Sequence, residues 1–123
     1  MNTLAWIAQV ILFVAFLYSG ICKTGFSKAE VISRGQTGVV NLSQFQIRLI
    51  GMSEILGAIG IIVPWWLGIM PVLTPVAATC FTIVMLLAAP IHYKLGELRN
   101  VATNIFLLAL SVFAAWMRFR HSI

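Results

Sequence analysis

Residues 49–64, "LIGMSEILGAIGIIVP", place one carboxylate, Glu54, inside a stretch that is otherwise uncharged and mostly apolar. With the residues back to Gln44, the stretch is long enough to cross a bilayer as a helix. Burying an ionised carboxylate at that depth costs on the order of several kcal/mol unless it is protonated, paired or hydrated. The stretch therefore predicts a membrane-spanning helix that carries a residue with a specific partner or role.

The composition of the whole chain predicts the same class of protein. Of its 123 residues, 61% are hydrophobic and only 9% are charged. Soluble domains are about half apolar and about a quarter charged, so this chain has too few polar residues to cover a water-exposed globule. We expect one all-α integral membrane domain over residues 1–123.

Four apolar runs predict a four-helix bundle, with spans at about residues 4–22, 44–63, 71–89 and 101–117. A capping box of Ser43 and Gln46 opens the second helix, which is expected to end near Val63 with Pro64 beyond it. Residues 64–70, "PWWLGIM", are then an uncharged turn. The third span is opened by Pro71 and Pro75 in its first turn and ends or kinks near Pro90.

A short interfacial helix is expected between the first two spans. Ser27 followed by Glu30 is a second capping signature, and Gly35 is a suitable stop, so this helix covers about residues 28–34.

The basic residues predict the orientation of the bundle. With four spans, one side of the membrane carries six of them: Lys23, Lys28, Arg34, Arg48, Lys94 and Arg99. The other side carries Arg118 and Arg120, in a tail "RFRH" with His121 that is expected to meet lipid headgroups. The positive-inside rule then places both termini outside and the two polar loops in the cytoplasm. A net charge of +5 arranged in this way does not indicate nucleic-acid binding.

Aromatic and basic side chains at helix ends are predicted to anchor the bundle at the two interfaces. The tryptophans all fall on the outer side, as an aromatic belt would. The predicted anchors are Arg48, Trp65, Trp66 and Trp116, with Trp6 in the same belt.

Polar side chains on the inward faces of the spans converge in the cytoplasmic half. At 1.5 Å per residue, Glu54 lies about 9 Å below Arg48, and Asn104 lies about 7 Å below Arg99. Tyr18 and the helix-end residues Lys23 and His92 belong to the same leaflet. We therefore predict a polar pocket that opens toward the cytoplasm and is lined by Glu54, Lys23, Tyr18, His92, Asn100 and Asn104.

Three interpretations of Glu54 are open from the residues alone. It is a structural acid, paired with Lys23 or bonded to Asn104, that fixes helix register. Alternatively, it is the proton carrier or hydrogen-bond acceptor of a small-molecule site, or it faces lipid. The other polar stripes, with Thr74, Thr82 and Ser111, are expected to be packing seams.

The sequence contains no metal or haem signature. Cys22 and Cys80 are not spaced as metal ligands would be, and both histidines lie at the ends of spans rather than within them. Any electron carrier would be a bound quinone or the cofactor of a partner. No catalytic residues are assigned.

Four segments together resemble the DoxX-like family of small bacterial membrane proteins: "FLYSGICKTG" at 16–25, "RLIGMSEILGAIGIIVP" at 48–64, "IHYKLGE" at 91–97 and "NVATNIFLLAL" at 100–110. The most specific parts are the G-x-x-K of residues 20–23 and the R-L-I-G-x-x-E-x-x-G of residues 48–57. The resemblance implies a four-helix bundle in the bacterial cytoplasmic (inner) membrane. Members of the family are described as subunits of quinone-linked oxidoreductases, and distant relatives as receptor assembly chaperones.

Three hypotheses follow for the function. The first is an accessory or ligand-binding subunit that holds a quinone or lipid-like molecule near Glu54 and associates with a membrane oxidoreductase. The second is a membrane assembly or interaction protein without a ligand, and the third is a small proton-coupled transporter. The lipid bilayer is the expected partner, with a membrane protein or a second copy of the chain as further candidates.

Overall fold

The computed structural model describes residues 2–34 and 37–122, and its elements are all helical. Four of the helices are long and apolar enough to cross a membrane. The all-α four-helix fold class is therefore confirmed, and the apolar helix surfaces suit a lipid bilayer. In chain order the elements are α1 (Asn2–Gly25), α2 (Lys28–Ser33), a 3₁₀ turn (Thr37–Val39), α3 (Gln44–Leu67), α4 (Leu73–Lys94) and α5 (Leu98–Ser122).

The four long helices form a ring in which α1 packs on α3 and α5, and α4 packs on the same two helices. Helices α1 and α3 are antiparallel, because Gln9 contacts Ile61 near one end of the pair and Gly20 contacts Gly51 toward the other. One end of the bundle, the loop end, therefore carries the α1–α3 and α4–α5 connections. The other, the terminal end, carries both termini and the α3–α4 turn. The core between them consists of Ala8, Leu12, Phe16, Ala58, Ile61, Ala77, Ala78, Phe81, Met85 and Ala114.

Two glycines bring the backbones of α1 and α3 unusually close. A Cβ at Gly20 would lie 2.7 Å from the carbonyl oxygen of Gly51, and a Cβ at Gly51 would lie 2.7 Å from the Cβ of Lys23. Small residues at a helix crossing permit this approach in membranes, where packing rather than the hydrophobic effect holds helices together. These glycines belong to the two motifs that carry the family resemblance, and they set the spacing of the site described below.

The expected end of the second long helix near Val63 is wrong, because α3 continues through Pro64 to Leu67. Pro64 has no N–H, so the carbonyl of Gly60 loses its helical donor. The Oγ1–H of Thr74, on α4, donates to that carbonyl at 3.0 Å and satisfies it from a neighbouring helix. The helix stops instead at Gly68, whose φ of 70° is the left-handed conformation that suits a helix end.

The other helix ends also differ from the apolar runs. Helix α4 begins at Leu73 rather than at Pro71, and it continues past Pro90 to Lys94. Helix α5 begins at Leu98 and runs to Ser122. Backbone hydrogen bonding continues beyond the apolar boundary into polar sequence, so the connection between α4 and α5 shrinks to residues 95–97, with Gly96 at a φ of 75°.

The short helix predicted between the first two spans is present as α2, and both capping signatures form. The Oγ of Ser27 accepts from the N–H of Glu30, and Ser43 and Gln46 make both hydrogen bonds of a capping box. Gly35, the predicted stop, lies outside the described residues. A small apolar cluster holds this connection against the bundle and includes Val31, Val39 and Ile47.

Candidate functional site

A cavity of about 540 Å³ lies between the four long helices at the loop end. Its walls are mostly apolar and include Phe16, Val84, Met85, Ala88 and Leu107. The structure also brings to it all six side chains that the sequence placed in one pocket: Tyr18, Lys23, Glu54, His92, Asn100 and Asn104. That these residues bind a ligand stays a prediction.

Glu54 pairs with Lys23 at the edge of this cavity. The Nζ of Lys23 donates to Oε1 of Glu54 at 2.5 Å, and the side chains are 13% and 5% exposed. Helical side chains lean toward the N-terminus of their own helix, so on antiparallel helices these two lean toward each other. The absence of a side chain at Gly51 leaves room for the stem of Lys23. The lipid-facing interpretation of Glu54 is therefore wrong, whereas the paired one matches the geometry.

The 3₁₀ turn and the residues after it cover the loop end of the cavity, through Val39 and Leu42. The expectation that the pocket opens directly at this end is therefore wrong. We call residues 37–42 the roof. It is tied to the α4–α5 connection by the Oγ1–H of Thr37, which donates to the carboxylate of Glu97 and lies 2.5 and 2.7 Å from its two oxygens.

Glu97 also meets His92, whose Nδ1 lies 3.0 Å from the same carboxylate. The hydrogen bonds from His92 and then from Thr37 hold the pKa of Glu97 below its usual range. No periodic signal in the sequence marks Glu97, because it lies in a loop and its partners, Thr37 and His92, lie in the 3₁₀ turn and in α4. His92 thus reaches the cavity as predicted, but with Nδ1 engaged by a carboxylate.

The remaining predicted pocket residues differ in how far they are satisfied. Asn104 is buried, at 8% exposure, and its Nδ2 has no hydrogen-bond partner within the described residues. Asn100 donates from Nδ2 to the Oγ1 of Thr37 over a long 3.5 Å. Tyr18 lies at the rim and is 51% exposed. Asn104 is therefore the polar side chain of this group that has an unused donor inside the bundle.

A stacked aromatic pair, Phe16 and Phe81, borders the cavity through Phe16. The rings of Phe16 and Phe81 lie 3.8 Å apart between centroids and are nearly parallel, at 2°. A Cβ at Gly57 would come within 2.7 Å of the Phe81 ring, so glycine there makes space for the stack.

The terminal end contains a buried cation that sequence reasoning missed. Arg118 is 1% exposed, and it donates from Nε to the Oε1 of Gln9 at 2.6 Å and from Nη1 to the Oδ1 of Asn2 at 2.7 Å. Its guanidinium carbon lies 4.5 Å from the ring centroid of Trp65 and 5.5 Å from that of Trp6. The expectation that the basic tail only meets headgroups is thus wrong for Arg118. The side chain of His121 lies outside the described part of the chain.

The predicted interfacial anchors occupy different environments. Arg48 is exposed at the loop end and donates from Nη1 to the carbonyl of Thr24. Trp66 and Trp116 are exposed at the terminal end, whereas Trp65 is half-buried over Arg118. Their contact with lipid headgroups stays a prediction.

Within residues 2–34 and 37–122, no three His, Cys, Asp or Glu side chains come together in a group that could hold a metal ion. Cys22 is buried and Cys80 is exposed, and neither is in a disulfide. The polar groups that line the cavity are the Lys23–Glu54 pair, two amides, a histidine and the hydroxyl groups of Tyr18, Ser19 and Thr103.

The sequence model of the DoxX-like family matches residues 7–114. The chain belongs to the DoxX-like family. The matched range contains every residue that lines the cavity and stops before Arg118. No curated protein and no solved structure matches the chain. The resemblance seen in the four sequence segments is thereby confirmed.

Proposed function

We propose that this DoxX-like protein binds a small amphiphile, quinone- or lipid-like, in the cavity at its loop end and serves as an accessory subunit of a membrane oxidoreductase. The observation that carries the proposal is the cavity, whose volume of about 540 Å³ falls in the range of roughly 300–1,000 Å³ usual for small-molecule sites. Its polar groups sit among apolar walls, which suits a molecule with one polar head and a hydrocarbon body.

The margins of the cavity support access from the bilayer. Leu87 and Tyr18 line it and yet are 67% and 51% exposed on the outside of the bundle. The roof covers the loop end through Val39 and Leu42 and is tied down at Thr37. A hydrocarbon tail can therefore extend between helices into lipid while its head stays inside.

The role beside an oxidoreductase rests on the family, whose members are described as subunits of such enzymes. The cavity supplies binding and positioning for that role. The Lys23–Glu54 pair joins α1 to α3, and the amide of Asn104 is left to meet a bound molecule.

Native mass spectrometry with lipid and quinone identification tests the proposal on protein purified in detergent. Ala88→Phe places a ring in the cavity without touching the ion pair, whereas Ala102→Phe adds the same ring to an exposed position of α5 outside the cavity. We expect a co-purifying amphiphile in the wild type and in Ala102→Phe, and its loss in a folded Ala88→Phe. Equal occupancy in the two variants, or an empty wild type, would contradict binding in this cavity and favour the interaction-protein hypothesis.

For orientation, we propose that the loop end faces the cytoplasm of a bacterial inner membrane and that both termini face outward. The basic residues of the loop end support this assignment, and the burial of Arg118 leaves Arg120 as the exposed arginine near the opposite end. Fusions to the C-terminus test it: alkaline phosphatase should be active there and green fluorescent protein dark. The reverse pattern would overturn the orientation.

A further inference from the structure

We infer that the amphiphile bound in the cavity has an uncharged head with a hydrogen-bond-accepting oxygen, such as a ketone, ester, quinone carbonyl or alcohol, and that Asn104 donates to it. The inference rests on the proposed function, because it specifies the ligand of that same cavity. Because it concerns only the chemistry of the head group, it can be wrong even if an amphiphile does bind in the cavity.

The unused amide of Asn104 is the first observation. The residue is 8% exposed and lines the cavity, yet its Nδ2 has no partner among the described residues. A buried donor without an acceptor costs about 1–3 kcal/mol, so such groups usually mark a missing partner. An acceptor oxygen of a molecule in the cavity provides that partner. Lys23 is already paired with Glu54 nearby, whereas no group of the described residues accepts from the buried Nδ2 of Asn104.

The balance of charge in the cavity is the second observation. Each cationic or ionisable nitrogen that lines it faces a carboxylate, Lys23 with Glu54 and His92 with Glu97. A carboxylate or phosphate head would enter beside Glu54 and find Lys23 already paired, whereas an ammonium head would enter beside Lys23. Either charge would lose its hydration without gaining an unpaired counterion, and burying a charge in this way is unfavourable. An uncharged head avoids this desolvation.

The position of Asn104 agrees with a head inside and a tail outside. On α5, the residue is one turn from both Asn100 and Leu107, which also line the cavity. Opposite them, α4 contributes an apolar wall that runs to the exposed Leu87 and Ile91. A chain that starts at Asn104 can therefore follow apolar side chains to the lipid-facing surface.

Photoaffinity labelling with chain-matched probes tests the inference on the full protein in phosphatidylcholine nanodiscs at neutral pH. Three sixteen-carbon probes with the same mid-chain diazirine differ only in the head, which is a methyl ketone, a carboxylate or an ammonium group. Cross-links are mapped to peptides by mass spectrometry. We expect the ketone to label the cavity-lining segments of α4 and α5 several-fold more than either charged probe.

Two variants test the role of Asn104. In Asn104→Leu, ketone labelling should fall roughly three- to tenfold, the value of one hydrogen bond. The unfolding midpoint of the ligand-free protein should at the same time stay level or rise, because an unsatisfied donor has been removed. The control is Ser111→Ala on the same face of α5, since Ser111 is buried, satisfied by the carbonyl of Leu107, and outside the cavity. Its ketone labelling should match the wild type.

The outcomes separate the two proposals. If a charged probe labels the cavity as well as the ketone does, the uncharged head is wrong while binding in the cavity stands. If Asn104→Leu folds and keeps full ketone labelling, the assigned hydrogen bond is wrong. If no probe labels the cavity of the wild type, the proposed function itself fails.

Discussion

At the scale of single residues, the contribution of the Lys23–Glu54 pair to the stability of the protein can be measured directly. Glu54→Gln should destabilise the protein by about 2–4 kcal/mol, because removal of one partner leaves a poorly hydrated ammonium at the edge of the bundle. The double variant, Lys23→Met with Glu54→Gln, should lose less stability than the sum of the losses in Lys23→Met and Glu54→Gln alone. Unfolding by SDS titration measures all four proteins. Additive losses would show that the two side chains contribute independently and that the pair does not fix register.

Arg118 gives the second prediction at this scale. Arg118→Met should destabilise the protein by about 2–3 kcal/mol, since the Oε1 of Gln9 loses a charged donor and the Trp65 ring loses its cation. Arg120→Met is the matched control, because Arg120 is exposed and, among the described residues, stacks on Trp116 at 4.7 Å. It should change stability by less than about 1 kcal/mol. Equal effects of the two substitutions on the thermal midpoint would contradict the structural role of Arg118.

The two residues show why one was predictable from sequence and the other was not. A carboxylate within an apolar run is energetically anomalous, so Glu54 is conspicuous in the sequence alone. An arginine two residues before another, close to a helix end, is the ordinary pattern of an interfacial charge. Only the path of α1 past α5 places Gln9 and Asn2 beside Arg118. Partners more than 100 residues away in sequence leave no local signal.

At the scale of helices, the close crossing of α1 and α3 predicts a steep dependence on side-chain size. Gly20→Ala and Gly51→Ala should each cost about 1–3 kcal/mol, because the new methyl group meets backbone or Cβ atoms at 2.7 Å that cannot move alone. Gly25→Ala is the control, since nothing lies within 4 Å of its added Cβ. It should leave the SDS unfolding midpoint unchanged or raise it. If all three behave alike, the crossing is not limited by these glycines.

Pro64 and Thr74 give a second prediction at this scale. Thr74→Val should cost about 1–3 kcal/mol, because the carbonyl of Gly60 is then left without a donor. In a Pro64→Ala background the residue at 64 has an N–H that can bond to that carbonyl, so most of the loss should disappear. Thr79→Val is the control, as Thr79 bonds only within its own helix, to the carbonyl of Pro75. An unchanged loss in the Pro64→Ala background would show that Thr74 acts in some other way.

Helix starts and helix ends were not equally predictable. Ser43 and Gln46 mark a helix start through hydrogen bonds between near neighbours, and α3 begins at Gln44, directly after Ser43. An end at a proline is different, because a helix can pass it when another element satisfies the freed carbonyl. Thr74 belongs to the next helix, so the sequence around Pro64 does not reveal it. The four spans themselves followed from run length alone.

At the scale of the molecule, the convergence of polar side chains in one half of the bundle could be predicted, but the covering of the cavity by the roof could not. Depth along each helix placed Glu54 and Asn104 in the same half of the bundle, because rise per residue is fixed. The roof, residues 37–42, has no such fixed rise along a membrane-spanning helix. The covering of the cavity by Val39 and Leu42, and the link between Thr37 and Glu97, therefore emerged only from the structure.

That link predicts how the stability of the whole bundle depends on pH. The pKa of Glu97 is lowered in the folded protein by His92 and Thr37, so the folded state binds fewer protons there than the unfolded chain does. The contribution is fully present above the ordinary glutamate pKa of about 4.3 and is lost as the pH falls through the lower, native-state pKa. Thermal midpoints measured from about pH 7 down to about pH 3 should fall more steeply for the wild type than for Glu97→Gln over that acidic window. Glu30→Gln is the matched control, because the Glu30 side chain is 55% exposed and lies 3.9 Å from Arg34, so its slope should follow the wild type. If Glu97→Gln keeps the wild-type slope, the carboxylate does not hold the roof onto the bundle.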